Sequence, residues 1–190
     1  MSDDRAVYKP FEARLIQLLA QRFAQSALSV SDHLKVGDLP LEIDLVVVLP
    51  QPEWRPDFEV FPRLFDYFRG HNVLEVKTER DRLEIEDLPK LMAYGWLYMA
   101  KQSLINVSEV TVTALVHHLS AKVREALPLM GFVPLGQDIY RSELGLTAYV
   151  ICYGDLPEHV LPEELQAFTN AARREKVFLS SLGRQEKSRL

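Results

Sequence analysis

The sequence predicts one α/β domain with a mixed central sheet flanked by helices, and three observations carry that prediction. Three runs rich in Val, Ile and Leu, at residues 41–49, 72–78 and 109–116, read as strands. Two longer stretches, at 10–27 and 87–101, carry apolar residues at helical spacing. A chain of 190 residues, 47% hydrophobic and 26% charged, is sized and composed for a single full core spanning residues 1–190.

The elements follow in order. In the first helix Phe11, Leu15, Leu18, Leu19 and Phe23 form one apolar stripe, and Pro10 is tolerated at the start because its missing N–H would be unpaired there anyway. Glu12 stands in line with Ile16, Leu19 and Phe23, so its carboxylate belongs on or beside the face that packs inward. Gly37-Asp-Leu-Pro40 signals a turn, and Leu41-Glu-Ile-Asp-Leu-Val-Val-Val-Leu49 a strand that Pro50 and Pro52 end. A short helix is expected around Phe61–Phe68, then the strand Asn72–Thr78 and a charged loop at 79–84. The second helix has Asp87 as its expected N-cap and Pro89 in its first turn. After the third strand come a short helix at 121–127, strands at 136–142 and 147–153, and a last helix from Pro162 past Arg173 to Leu182. The order is helix, strands, helix, strand over a core of about 10–118, then an αββα extension over about 119–185. The polar end, Gln185–Leu190, is expected to fray.

Composition excludes several classes of function. Cys152 is the single cysteine, which rules out an intramolecular disulfide, a Cys-rich zinc site and a Cys-x-x-Cys redox pair; its apolar surroundings predict a buried thiol. No apolar run approaches a membrane span, and the polar start Met-Ser-Asp-Asp-Arg is unlike a signal peptide, so a cytoplasmic protein without membrane association is expected. A net charge of −5 argues against broad affinity for nucleic acid and leaves room only for a local basic rim. There is no Gly-rich phosphate loop, no Gly-x-Ser-x-Gly elbow and no His-Glu-x-x-His. His117-His118 lacks an evident third metal ligand and reads as a strand-end pair, and Trp54 and Trp96 read as packing residues.

The chemistry-bearing residues are carboxylates on strands. Asp44 stands inside an apolar strand, where a carboxylate is costly unless it is paired, hydrogen-bonded or metal-bound; the alternative is a strand end near solvent. Glu75 and Lys77 are two apart on the next strand and so project from one face, which also describes an ordinary surface salt pair. Taken together, two acids on neighbouring strands can share a hard divalent cation such as Mg²⁺, while an adjacent ammonium orients water and offsets phosphate charge. On the second helix Lys90 and Tyr94 share a face, suited either to phosphate contact or to a core edge with Lys90 at its rim.

In this order and spacing the chain resembles the PD-(D/E)XK, or restriction-endonuclease-like, nuclease superfamily, whose core is helix, three strands, helix and strand. The family's first acid corresponds to Asp44, with Ile43 in place of the preceding proline, and its acid-x-Lys motif to Glu75-Val76-Lys77. Glu12 fits the glutamate that the first helix contributes in many branches. Exonuclease-like branches carry Gln-x-x-x-Tyr on the following helix, and Lys90-Leu-Met-Ala-Tyr94 departs from it at the first position. The stretch from His71 to Gly95 is similar to bacterial relatives of transposase-associated nucleases.

The resemblance implies an Mg²⁺-dependent (or Mn²⁺-dependent) nuclease acting on DNA. Asp44, Glu75 and the Val76 carbonyl would bind the metal, Glu12 directly or through water. Lys77 would position the attacking water, and Lys90, Tyr94, Arg80 and Arg82, with Lys9 and Arg69, would line the substrate. The alternative is a catalytically silent scaffold serving as a binding or assembly subunit, for which the acidic charge and the C-terminal third, with Tyr140, Tyr149, Tyr153 and Phe178, are suited. A two-fold homodimer is the default expectation for an assembly.

Overall fold

A computed structural model describes residues 9–26, 28–35, 42–50, 63–136 and 138–169. The expected turn at 37–40, Pro52, Trp54, the start of the helix expected around Phe61, Phe178, the last helix beyond Thr169 and the end at 185–190 lie outside the described residues, as does the Lys9 side chain.

Helix α1 (Lys9–Gln25) leads into strands β1 (Ser29–Lys35), β2 (Glu42–Val48) and β3 (His71–Lys77), with a short 3₁₀ turn at Arg63–Phe65 before β3. Helix α2 (Asp87–Gln102) and strand β4 (Val110–Val116) follow. The chain then forms α3 (Ala121–Leu129), β5 (Val133–Gly136), β6 (Ile139–Ser142), β7 (Thr147–Cys152) and α4 (Glu163–Thr169). The seven strands make one mixed sheet in the order β1-β2-β3-β4-β7-β6-β5. β1, β2 and β3 form an antiparallel meander, β3–β4 and β4–β7 are parallel, and β7, β6 and β5 are again antiparallel. The parallel pairs need crossovers, which α2 and α3 supply.

Each face of the sheet has its own core. Leu15, Leu19 and Phe23 of α1 and Leu165 and Phe168 of α4 pack on Leu45, Val47, Leu74, Val76 and Ile151. On the other face Leu88, Leu91 and Tyr98 of α2 and Val123 and Leu127 of α3 pack on Val73, Val112, Ala114 and Val150. The central strand β4 is buried at every position, as expected for a strand covered on both sides.

Four expectations are corrected. β1 is an additional strand, with an exposed, polar pattern typical of a sheet edge. The strand expected at 136–142 is present as β6 in its second half, and Gly136 and Asp138, at left-handed backbone angles, reverse the chain into it from an additional strand, β5. The C-terminal part is therefore αβββα, and it continues the same sheet through β7. At the start of α2, Glu86 holds the N-cap position, while Asp87 accepts a hydrogen bond from the Glu84 N–H at 2.9 Å. Trp96 is 45% exposed, so it is not a core residue. Cys152 is buried as expected, its thiol pushed up to about 12 by burial and by Asp155.

Asn72 locks the end of the sheet opposite Lys77. Its amide donates to the carbonyls of Val47 (3.1 Å) and Arg69 (2.7 Å), and its oxygen accepts from the Arg69 N–H (2.8 Å) and the Thr111 hydroxyl (2.7 Å). Asn72 and Thr111 are buried and the bonds to Val47 and Thr111 lie inside the sheet, so Asn72→Leu strands several polar groups at once and is expected to cost about 3 kcal/mol in urea unfolding.

Candidate functional site

The strand ladder itself builds the site. The β2–β3 register runs from Val48↔His71 to Leu45↔Leu74. At the next rung the Asp44 side chain takes the place of a backbone acceptor: its Oδ2 accepts the Val76 N–H at 2.8 Å. Asp44 is thereby held against β3 beside the Glu75-Val76-Lys77 triplet. Glu75 and Lys77 share the face of Val73, the α2 side, by strand alternation. That face is covered, so Glu75 is buried (7% exposed), unlike a surface salt pair.

Lys77 is held between two acids. Its Nζ lies 3.2 Å from Glu75 Oε1 and donates to Asp81 Oδ2 at 2.9 Å. The Lys77 backbone carbonyl accepts from the His117 N–H at 3.0 Å and the Tyr153 hydroxyl at 3.3 Å, which fixes the strand end that carries the ammonium. Glu75 Oε2, by contrast, is buried with no hydrogen-bond partner among the described residues. A buried carboxylate oxygen left in this state is costly and marks a place where something polar belongs.

The electrostatics point the same way. Burial, then repulsion from Glu75 and Glu12, raises Asp44 to about 8, against the opposing pull of the Val76 N–H and Lys77. Glu12 rises to about 7 through burial and the neighbouring Asp81, with which it shares a hydrogen bond, and Glu75 adds to the effect. Burial raises Glu75 as well, although Lys77 and Lys90 pull it down. Burial would lower Lys77, but Glu75 and Asp81 outweigh it and hold the ammonium charged. Three carboxylates pushed toward neutrality in one place are a site short of positive charge.

Of the residues singled out in the sequence, Glu12, Asp44, Glu75, Val76 and Lys77 come together at the C-terminal end of β3. Lys90, on the first turn of α2, acts electrostatically on Glu75 and stands 5.3 Å from the centre of the Tyr94 ring. Tyr94 is 3% exposed and belongs to the α2-side core. Arg80 and Arg82 are exposed in the loop after β3, whereas Arg69 precedes the far end of that strand. Asp81 is the site residue that sequence reasoning missed. Its signal was faint: an acid four residues past the lysine, in a loop whose course the sequence leaves open.

Among the described residues no group of three or more His, Cys, Asp or Glu is arranged to hold a metal ion. The residues here that could contribute oxygen ligands to a hard cation are Asp44 and Glu75, on neighbouring strands. A separate cleft of about 800 Å³ opens elsewhere, lined by Arg22, Arg63, Tyr67, Tyr149 and His159 among others, and none of the clustered acids borders it. No described helix is long and apolar enough to cross a membrane. Comparison with protein-family models, with curated proteins and with solved structures found no match.

Proposed function

We propose that this protein is a metal-dependent nuclease that hydrolyses phosphodiester bonds in DNA on a restriction-endonuclease-like core. One observation carries the reading. Two carboxylates on neighbouring strands are both pushed toward protonation, and the buried Glu75 keeps an oxygen with no partner among the described residues, which a divalent cation would satisfy. The element order α1-β1-β2-β3-α2-β4 supports it, since this is the helix, three strands, helix and strand of that superfamily.

Asp44 and Glu75, with the Val76 carbonyl, would hold Mg²⁺ or Mn²⁺. Bound there, the ion supplies Lewis acidity toward a phosphate oxygen and a water of lowered pKa. The chain's own groups do the rest. Lys77 orients the attacking water and offsets the charge that develops on the phosphate, and Asp81 holds its ammonium at the strand end. Glu12, with a pKa of about 7, takes or returns a proton near neutral pH. Lys90, Arg80 and Arg82 supply the local positive rim for the nucleic-acid backbone, which the net charge of −5 does not supply globally.

A second reading, a silent nuclease-fold subunit for binding or assembly, is favoured by the Lys77–Glu75 ion pair, which already places a cation beside the acid. That pair engages Oε1 and leaves Oε2 unmet. The deciding assay is Mg²⁺- or Mn²⁺-dependent cleavage of linear, circular and single-stranded DNA by the wild type beside Glu75→Ala. Cleavage that falls at least about 1000-fold in the variant is expected. No cleavage by either protein, with no metal binding by calorimetry, would make the subunit reading the better one.

A further inference from the structure

The β1–β2 hairpin changes face at one rung. Leu45 and Val47 pack in the α1-side core, yet Ile43, of the same strand parity, packs in the α2-side core. The partner strand does the same, with Val30 against the α1-side core and Leu34 against the α2-side core. A regular strand keeps residues of one parity on one face, so both strands turn over between these positions. The register runs Asp32↔Leu45 and then Leu34↔Ile43, which leaves His33 and Asp44 as the rung where the turn occurs.

At that rung His33 has φ +49°, a left-handed conformation inside a strand. A non-glycine residue held there is strained, and such strain persists only where the surroundings enforce it. Its imidazole Nδ1 lies 2.9 Å from Glu42 Oε1, but both side chains are about half exposed, so the ion pair alone contributes little. The backbone is the informative feature.

We propose that His33 is a positioning residue for the acid site: its left-handed backbone turns the hairpin at the Asp44 rung and so delivers the Asp44 carboxylate to the Val76 N–H, next to Glu75. For its functional half the inference rests on the metal-site reading. Its structural half stands apart, because the Asp44–Val76 hydrogen bond exists without metal.

The test compares His33→Gly and His33→Asn, which accept a left-handed backbone, with His33→Val, which resists it. Two quantities are read in the full chain: hydrogen-exchange protection of the Val76 amide by NMR, and Mn²⁺ affinity by calorimetry. The Gly and Asn variants are expected to keep Val76 protected and Mn²⁺ affinity within about threefold of wild type, while the Val variant loses the protection and binds at least about tenfold more weakly. If His33→Val fails to fold, His33→Ala, with a milder penalty, gives the same ordering. Equal Val76 protection in the Val (or Ala) and Gly variants would overturn the inference, as would a Gly variant that loses protection as the Val variant does. A wild type that binds no Mn²⁺, with Val76 protection still ordered as expected, upholds the backbone role and removes the metal reading instead.

Discussion

Asp44→Asn is expected to make the metal-free protein more stable at pH 8 and, under the proposed nuclease function, to abolish cleavage. The amide keeps an oxygen for the Val76 N–H but removes a charge that burial, Glu75 and Glu12 all disfavour. In the folded chain Asp44 titrates at about 8, against 3.8 for an unperturbed aspartate. Between those values the folded state holds a proton that the unfolded state has released. Its stabilising contribution is therefore complete below about pH 4 and is lost as pH rises to about 8. Glu12, raised from 4.5 to about 7, acts in the same direction over a narrower window.

The metal-free wild type should accordingly weaken from pH 5 to pH 8, and Asp44→Asn should flatten that slope. The gain expected at pH 8 is on the order of 2 kcal/mol, below the full linkage value because the strand end stays open to water. Metal binding needs the carboxylate ionised, so under the proposed function the Mn²⁺ affinity of the wild type should rise over the same pH range. Thermal unfolding at pH 5 and pH 8, with and without Mn²⁺, reads all of this. A wild-type stability that rises with pH in the absence of metal would contradict the buried-charge account.

Lys77→Ala should separate rate from metal affinity. The ammonium lies 3.2 Å from Glu75 Oε1, so it competes with a cation for that carboxylate. Without it, Mn²⁺ binding should be no weaker than in the wild type and up to several-fold tighter, whereas cleavage at saturating metal should fall about 100- to 1000-fold. The metal-free variant should lose about 2 kcal/mol, since Glu75 is left buried without its partner, and added metal should restore most of it. Calorimetry and single-turnover cleavage measure the two effects independently. Cleavage at the wild-type rate would remove Lys77 from the mechanism, and strongly weakened Mn²⁺ binding would show that it organises the site rather than competing within it.

Much of the fold was legible in the sequence because burial leaves a periodic record. β2, β3, β4 and α2 are covered on one or both faces, and their β-branched runs and helical spacing reflect that. β1 left no such record: in Ser-Val-Ser-Asp-His-Leu-Lys only Val30 and Leu34 are even partly buried, and they face opposite cores. β5 is equally silent in the sequence: four exposed residues, Val-Pro-Leu-Gly, carry no burial pattern, and the reversal into β6 depends on two left-handed backbone positions, which composition signals weakly.

The sequence by itself determined which residues could do chemistry here, and that Glu75 and Lys77 share a face, because alternation along a strand is local geometry. Tertiary structure decided the rest. The hairpin turn at His33 brought Asp44 out of the β2 ladder to the Val76 N–H, the loop after β3 brought Asp81 to Lys77, and packing of α1 carried Glu12 to the same strand end. Packing of α2 over the sheet turned an ordinary acid-x-Lys pair into a buried one, with an oxygen left unpaired among the described residues. Burial, unlike spacing, is a property of the whole fold, and the raised pKa values of Asp44 and Glu12 follow from it.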